Sequence, residues 1–290
     1  MRCLFLLAFL LFGYACASAP EHYHEVAPSA GRLTVKEGQI YYEVAGEGPP
    51  VVLVHGGFGD RRMWDHQFQT LADNFRVVRY DHRGFGGSPA PDKAYSPVDD
   101  LLRLMDHLQI RRTHLVGNSM GGALVLDFAL LHPERVNRAV VVSSGATGYP
   151  YTDNDVESVA SVFKAAQEEG LERAAWLWLQ HPMVTVASTD PDVAPKLRTM
   201  VEENRGAFLM RHWPSERIEP STYQRLSRIR PPVLFIVGER DTPLVRKVAE
   251  ETQRKVPASE LVVLSGTDHL PQMEKPDQFN SLVRKFLSAR

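Results

Sequence analysis

Short apolar runs alternate with segments of helical periodicity along most of the chain. The apolar runs are rich in β-branched residues and predict buried parallel strands; they occupy residues 51–54, 77–80, 113–116, 233–237 and 261–264. Helical spacing appears over residues 98–108 and again in a final segment that begins at Pro276. The alternation predicts an α/β fold, with a mainly parallel sheet that is flanked by helices.

The pattern differs at the start of the chain and in a long stretch before residue 230. Residues 18–31 predict a loose tail, and the alternating segments 32–37 and 39–45 predict a hairpin that turns at Gly38. Between residues 146 and 228 no convincing strand appears, and prolines interrupt the helical stretches; they are Pro182, Pro191, Pro195, Pro214 and Pro220. This stretch is therefore predicted to be a mainly helical insertion.

A glycine-flanked serine, Ser119, stands between an apolar strand and an apolar helix, in the run Gly-Asn-Ser-Met-Gly. This order is typical of a nucleophile elbow, in which a sharp turn projects the serine hydroxyl away from the sheet. Gly117 and Gly121 allow the strand and the helix to approach, and the helix start provides N–H groups beside the oxygen. The alternative is an ordinary buried turn serine, which these neighbours disfavour.

A candidate acid and a candidate base follow two later strands. Asp241 lies in the loop after the run 233–237, and His269 lies in the loop after the run 261–264. Asp268 and Glu239 are alternative acids, but neighbours on a chain, such as Asp268 and His269, seldom point correctly for a carboxylate–imidazole bond. The predicted catalytic residues are therefore Ser119, Asp241 and His269, in that order.

This order, together with two glycine-rich turns, resembles the α/β-hydrolase-fold serine hydrolases over nearly everything after residue 30. Residues 55–59, His-Gly-Gly-Phe-Gly, resemble the family's oxyanion loop, and residues 81–88 match its D-x-R-G-x-G-x-S turn. A dinucleotide-binding loop is the alternative for the second turn, but Pro89 and Pro91 prevent a helix from starting there.

The resemblance implies an α/β-hydrolase fold whose core spans residues 32–145 and 229–290. The helical cap would be inserted after the sixth strand, over residues 146–228. By motif, the backbone N–H groups of Phe58 and Met120 form the oxyanion hole, and no metal or organic cofactor is needed. Three cap tryptophans, Trp176, Trp178 and Trp213, are candidates for lining an apolar substrate pocket. Most other aromatic residues of the cap are expected to pack the cap onto the core.

The predicted function is hydrolysis of a carboxylic ester or lactone of a small apolar molecule through an acyl-enzyme on Ser119. Three alternatives stay open: a C–C bond hydrolase of ring-fission products, a cofactor-free haloperoxidase-like enzyme and a non-catalytic ligand-binding relative. The elbow resembles that of the C–C hydrolases, but Leu270 stands where they carry tryptophan. Ser119 argues against dehalogenases and epoxide hydrolases, because those relatives use an aspartate nucleophile.

Composition and charge narrow the partners and the compartment. The 290 residues are 43% hydrophobic, enough for one large core, and a net charge of −2 without a basic patch argues against nucleic-acid binding. Residues 1–17 combine a basic start, an apolar run too short to span a membrane and an A-x-A site, which predicts a signal peptide and export to the periplasm or medium. A lipid anchor on Cys16 is the alternative. Both cysteines lie in this leader, and nothing indicates the oligomeric state.

Overall fold

One eight-stranded sheet organises the protein. The computed structural model describes residues 28–209, 216 and 218–289. The strand order is β1-β2-β4-β3-β5-β6-β7-β8. The strands are β1 Ser29–Val35, β2 Gly38–Ala45, β3 Pro50–Val54, β4 Arg76–Tyr80, β5 Thr113–Asn118, β6 Val136–Val142, β7 Val233–Gly238 and β8 Ser259–Leu264. The first two strands pair antiparallel, and all pairs from β4 to β8 are parallel, which confirms the predicted fold class.

Helices cover both faces of this sheet. These helices are α1 Asp65–Leu71, α2 Pro97–His107, α3 Met120–Leu131, α8 Pro243–Lys255 and α10 Pro276–Leu287, with the short α9 Pro271–Glu274 beside α10. Four further helices belong to the insertion between β6 and β7: α4 Asp153–Glu168, α5 Leu171–Leu179, α6 Thr185–Thr189 and α7 Ala194–Glu203. Helices α1 and α10 pack in one hydrophobic cluster, and α2 and α3 pack in another. The central strands contribute side chains alternately to the two clusters, as in β3, because they are buried on both faces.

The parallel strands bring the predicted site residues to one edge of the sheet. Since β3, β5, β6, β7 and β8 run in the same direction, the loops at their carboxyl ends meet. Between β6 and β7, the described part of the insertion forms helices α4 to α7 and no strand. These helices lie in the segment where the sequence predicts a helical insertion.

The first hairpin differs from its prediction. Strand β1 begins at Ser29, inside the predicted tail, and the turn lies at Lys36 and Glu37, with Glu37 at φ 54°. Gly38 is already the first residue of β2. A Cβ atom on Gly38 would lie 2.8 Å from the Arg83 guanidinium, whose Nη2 donates to the Lys36 carbonyl. The glycine therefore permits close approach of the arginine and does not make the turn.

Some predictions fall on residues that the structure does not describe. The predicted leader, with Cys16, and the tryptophan at position 213 lie outside the described residues, so export stays a prediction. Within residues 28–209, 216 and 218–289, none of the helices combines the length and the hydrophobicity that crossing a bilayer requires.

Candidate active site

Ser119 occupies a tight turn between β5 and α3. Its backbone adopts φ 52° and ψ −116°, a conformation that side-chain-bearing residues rarely take and that stores strain. A Cβ atom on Gly117 would lie 2.3 Å from the Gly121 carbonyl oxygen, and one on Gly121 would lie 2.3 Å from the Val54 oxygen. Both flanking glycines are therefore required by the close approach of the strands and the helix, as the motif predicts.

The loops after β7 and β8 bring an aspartate and a histidine together. The Nδ1 atom of His269 lies 2.9 Å from Oδ2 of Asp241, and both side chains are buried. The other Asp241 oxygen accepts the N–H of Thr242 at 2.8 Å, which fixes the carboxylate. Asp268 is turned away from the ring, because its Oδ2 accepts the N–H of Val186 in the inserted helices. The structure thus places Asp241, and not Asp268, at the imidazole.

The surroundings of His269 favour its charged form. Burial alone would lower its pKa, but the charge of Asp241, the hydrogen bond to that carboxylate and the charge of Asp268 outweigh burial. The net result is a pKa above the ordinary histidine value. A proton that arrives on this ring is therefore stabilised.

The predicted oxyanion donors lie beside Ser119. Phe58 has φ 58°, and Phe58, Met120 and Ser119 line the same cavity. The N–H of Met120 belongs to the first turn of α3, where backbone donors have no partner within the helix. His55 holds the preceding loop: its Nε2 accepts the N–H of His82 at 2.9 Å, so its Nδ1 carries the hydrogen and donates to the Gly56 carbonyl at 2.7 Å.

Two adjoining cavities of about 520 Å³ and about 270 Å³ open onto Ser119 and His269. The residues common to both walls are Ser119, Met120, Val159, Phe163, Met183 and His269. The larger cavity adds side chains such as Tyr149 and Val248, and the smaller adds Trp178 and Leu197. Among the described residues that line these walls there is no lysine or arginine, and the larger cavity has one carboxylate, Asp155, so the lining disfavours an anion and suits a largely apolar molecule.

The two described tryptophans of α5 have different environments. Trp178 is buried and lines the smaller cavity, and the centroid of its ring lies 4.6 Å from that of Phe58. Trp176 is 52% exposed, its ring is covered by the Arg173 guanidinium at 4.5 Å, and it lines neither cavity. Residues two positions apart on a helix point about 200° from each other, so the two rings cannot share one face. That spacing was a sequence signal against pairing them in one pocket.

Several residues line the cavities or hold the loops at the site although the sequence does not predict these contacts. Phe163 and Met183 line both cavities, although α4 and the turn after α5 give no sign of which side chains face inward. The Met183 carbonyl also accepts the His269 N–H at 3.2 Å. Asn118 donates from Nδ2 to the His269 carbonyl at 2.9 Å, which joins the elbow to the histidine loop. Within the described residues, no group of three or more His, Cys, Asp or Glu side chains is arranged to hold a metal ion.

Comparison with known proteins agrees with this geometry. The sequence profile described as the alpha/beta hydrolase family matches residues 51–282. A putative 2-succinyl-6-hydroxy-2,4-cyclohexadiene-1-carboxylate synthase of Bacillus subtilis (strain 168) is 30% identical over 275 residues, covering 89% of this chain and 98% of the relative.

Solved structures of hydrolases are also similar. The enol-lactonase from Burkholderia xenovorans LB400 superimposes with a TM-score of 0.76 at 25% identity, covering 89% of this chain and 100% of that one. A thermophilic esterase from Thermogutta terrifontis gives a TM-score of 0.77 at 28% identity, covering 89% of this chain and 98% of the esterase. The resemblance that the motifs predict is confirmed: the chain belongs to the alpha/beta hydrolase family and is a hydrolase.

Proposed function

We propose that this protein hydrolyses carboxylic esters or lactones of small, uncharged, apolar molecules through an acyl-enzyme on Ser119. The observation that carries the proposal is the 2.9 Å contact between His269 Nδ1 and Asp241 Oδ2, beside a cavity wall that His269 shares with Ser119. A nucleophile, a base and an orienting acid at one apolar cavity are the parts that acyl transfer requires.

The reaction begins when His269 Nε2 takes the hydroxyl proton of Ser119 as Oγ attacks the substrate carbonyl carbon. The carbonyl electron pair moves to oxygen, and the N–H groups of Phe58 and Met120 stabilise the oxyanion by about 3 kcal/mol each. The C–O bond to the leaving group then breaks, and His269 donates its proton to the departing oxygen. Water, deprotonated by His269, attacks the acyl-enzyme and releases the acid. Asp241 holds the ring in the required tautomer throughout.

The substrate class follows from the cavity walls. A carboxylate substrate needs a cationic partner when it is buried, and the described walls offer no lysine or arginine. The name of the Bacillus subtilis relative contains a carboxylate, whereas the two similar structures are an enol-lactonase and an esterase. We therefore favour neutral esters and lactones for this chain. The test is kcat/KM for a p-nitrophenyl ester series from acetate to dodecanoate, beside neutral lactones. Absence of turnover on every member would contradict the proposal.

Replacing Trp178 by alanine should change the preferred chain length of the substrate. Removal of the indole enlarges the smaller cavity, so the ratio of kcat/KM for hexanoate to that for acetate should rise by about tenfold. Loss of a buried indole also costs about 3–5 kcal/mol of folding free energy, so Trp178→Phe is the milder companion variant.

Trp176→Ala is the matched control for this experiment. Its side chain is half exposed on the same helix and lines neither cavity, so the chain-length ratio should stay at the wild-type value. An unchanged ratio in both Trp178 variants would mean that the substrate does not occupy the smaller cavity.

Activity should fall on the acid side as His269 becomes protonated. The base must be neutral to accept the Ser119 proton, and Asp241 and Asp268 together raise the pKa of His269 despite its burial. The acid limb of kcat/KM should therefore have its midpoint above about 6.5, the ordinary histidine value. The measurement is kcat/KM from pH 5 to 8.5, with and without a chelator, which should have no effect. A midpoint below 6 would contradict the assigned electrostatics.

A further inference from the structure

The loop that carries the proposed oxyanion donor Phe58 has few restraints of its own. Glycines occupy positions 56, 57 and 59, and Phe58 has φ 58°, a left-handed conformation that side-chain-bearing residues seldom adopt. Apart from its chain neighbours, no described residue has a heavy atom within 4 Å of a Cβ atom placed on Gly57. Because Phe58 disfavours this φ and the glycines permit other conformations, contacts from outside the loop must hold it.

Three aromatic rings of the insertion surround the Phe58 ring. The ring of Phe208 is stacked on it, with centroids 4.4 Å apart and an angle of 17° between the planes. The rings of Trp178 and Phe163 are tilted, with centroids at 4.6 Å and 5.5 Å from that of Phe58. Aromatic pairs at such separations attract each other beyond the burial of their surfaces. The side chain of the proposed donor is therefore held by rings of the insertion.

Phe208 differs from the other two rings in its access to substrate. Trp178 and Phe163 line the cavities, so a bound substrate can contact them directly. Phe208 is fully buried and lines neither cavity. Any effect of Phe208 on catalysis must therefore pass through the residues that it packs against, of which Phe58 carries the proposed oxyanion donor.

Asn204 fixes the turn that carries Phe208 to the core. This turn, Arg205–Leu209, follows α7 directly after Asn204. The buried Asn204 side chain accepts the N–H of Gly86 at 2.7 Å and donates to Oδ2 of Asp60 at 2.8 Å. Asp60 comes directly after the oxyanion loop. The insertion therefore contacts this loop at two points, through the Phe208 ring in the loop and through a buried hydrogen bond at its end.

We propose that Phe208 is a positioning residue for the oxyanion hole and that Asn204 holds Phe208 in place. The stacked ring keeps Phe58 in its left-handed conformation, so that the Phe58 N–H points at the oxygen of the tetrahedral intermediate. The inference rests on the proposed function, in which Phe58 and Met120 donate to this oxygen. It assigns to the insertion a part in stabilising the transition state, in addition to forming cavity walls.

Loss of the stacked ring should affect catalysis and leave substrate binding unchanged. Without it, Phe58 can relax to the negative φ values that phenylalanine prefers, and its N–H then turns away from the oxyanion. The bound ester or lactone depends less on this donor than the transition state does, because its carbonyl oxygen carries no full negative charge. We therefore expect a lower kcat with a nearly constant KM.

The test replaces Phe208 by leucine, which keeps a buried apolar side chain and removes the ring. Complete loss of one oxyanion donor costs about 10²- to 10³-fold in kcat, so a misplaced donor should cost about tenfold, with KM within about twofold of the wild-type value. Phe58→Ala keeps the N–H and loses the ring, so it should show a similar fall. In the double variant the two losses should not add, because each removes the same contact.

A transition-state analogue gives a second readout that needs no turnover. With a hexyl trifluoromethyl ketone, Ser119 Oγ bonds to the carbonyl carbon, the hydroxyl proton passes to His269, and the carbonyl electron pair moves to oxygen, which becomes an oxyanion. The dissociation constant of this ketone, measured by calorimetry, should rise about tenfold in Phe208→Leu, in parallel with the loss of kcat. The dissociation constant of hexanol, which has no carbonyl oxygen, should stay unchanged.

Val201→Ala is the matched control for a loosened insertion. Val201 is fully buried in α7, has no ring to stack on Phe58 and lines neither cavity. Its truncation should lower the thermal midpoint, while kcat and the binding of the ketone stay at the wild-type values. Asn204→Ala should instead reproduce the pattern of Phe208→Leu, and it tests the inference independently if Phe208→Leu does not fold.

The outcomes separate this inference from the proposed function. An unchanged kcat in Phe208→Leu, a loss that appears in KM and in hexanol binding, additive losses with Phe58→Ala, or an equal loss in Val201→Ala would each overturn the positioning role. If no ester or lactone is turned over, the proposed function fails, while the binding of the ketone and of hexanol still decides whether Phe208 positions the donor. Failure of the ketone to bind the wild type would overturn both.

Discussion

We expect the proposed ester hydrolysis to be lost when Ser119 is replaced by alanine, while the protein stays folded. We expect kcat to fall by about 10⁴- to 10⁶-fold, because Ser119 and His269 act as a unit and neither works without the other. The fold should survive because the glycines that shape the turn remain in place. The measurements are kcat/KM on the preferred ester, labelling by a fluorophosphonate probe and the thermal midpoint.

Ser119→Gly gives this experiment a sharper control. At φ 52° and ψ −116° a side chain is strained, and strain of this kind costs about 1–3 kcal/mol. Glycine adopts the conformation without that cost, so Ser119→Gly should be equally inactive but more stable than Ser119→Ala by about 1 kcal/mol. Turnover above background in either variant, with full probe labelling at another residue, would overturn the assignment of the nucleophile.

The turn at Ser119 and the contact of Asp241 with His269 could be predicted because they depend on local sequence and on strand direction. Gly117 and Gly121 predict the close approach of β5 and α3, and in the structure each glycine does lie against a backbone oxygen. Asp241 and His269 follow adjacent parallel strands, whose carboxyl ends must meet at one edge of the sheet. In the turn a few residues determine the geometry, and in the acid–histidine contact the direction of two adjacent strands does.

The features that could not be predicted depend on contacts between distant segments. The turn of the first hairpin is set by Arg83, more than 40 residues away, which Gly38 must accommodate. The sequence places Trp176 and Trp178 on opposite sides of α5, but which of the two faces a cavity depends on how the inserted helices pack onto the core. Glu274 in α9 accepts the backbone N–H groups of Asp268 and Leu270, and these contacts form only when α9 folds back on the histidine loop.

Asp241→Asn should slow hydrolysis by about 10⁴-fold while the protein stays folded. An asparagine at this position presents either an amide donor or an amide oxygen to Nδ1, and it removes the charge that favours the imidazolium. The ring can then settle in the tautomer that leaves a hydrogen on Nε2, where the Ser119 proton must arrive. The loss should appear in kcat and in kcat/KM alike, since the interaction matters in the transition state.

The comparison with Asp268→Asn distinguishes the two acids beside His269. Both charges raise the pKa of His269, but only Asp241 contacts its ring, at 2.9 Å. Asp241→Asn should therefore move the acid limb of the pH profile to lower pH and also collapse the rate. Asp268→Asn should move that limb less and keep most of the activity at neutral pH, because the side-chain oxygen of the asparagine can still accept the Val186 N–H. If Asp268→Asn gave the larger loss of kcat at neutral pH, then Asp268 would be the acid of the triad, and the contact between Asp241 and His269 would have only a structural role.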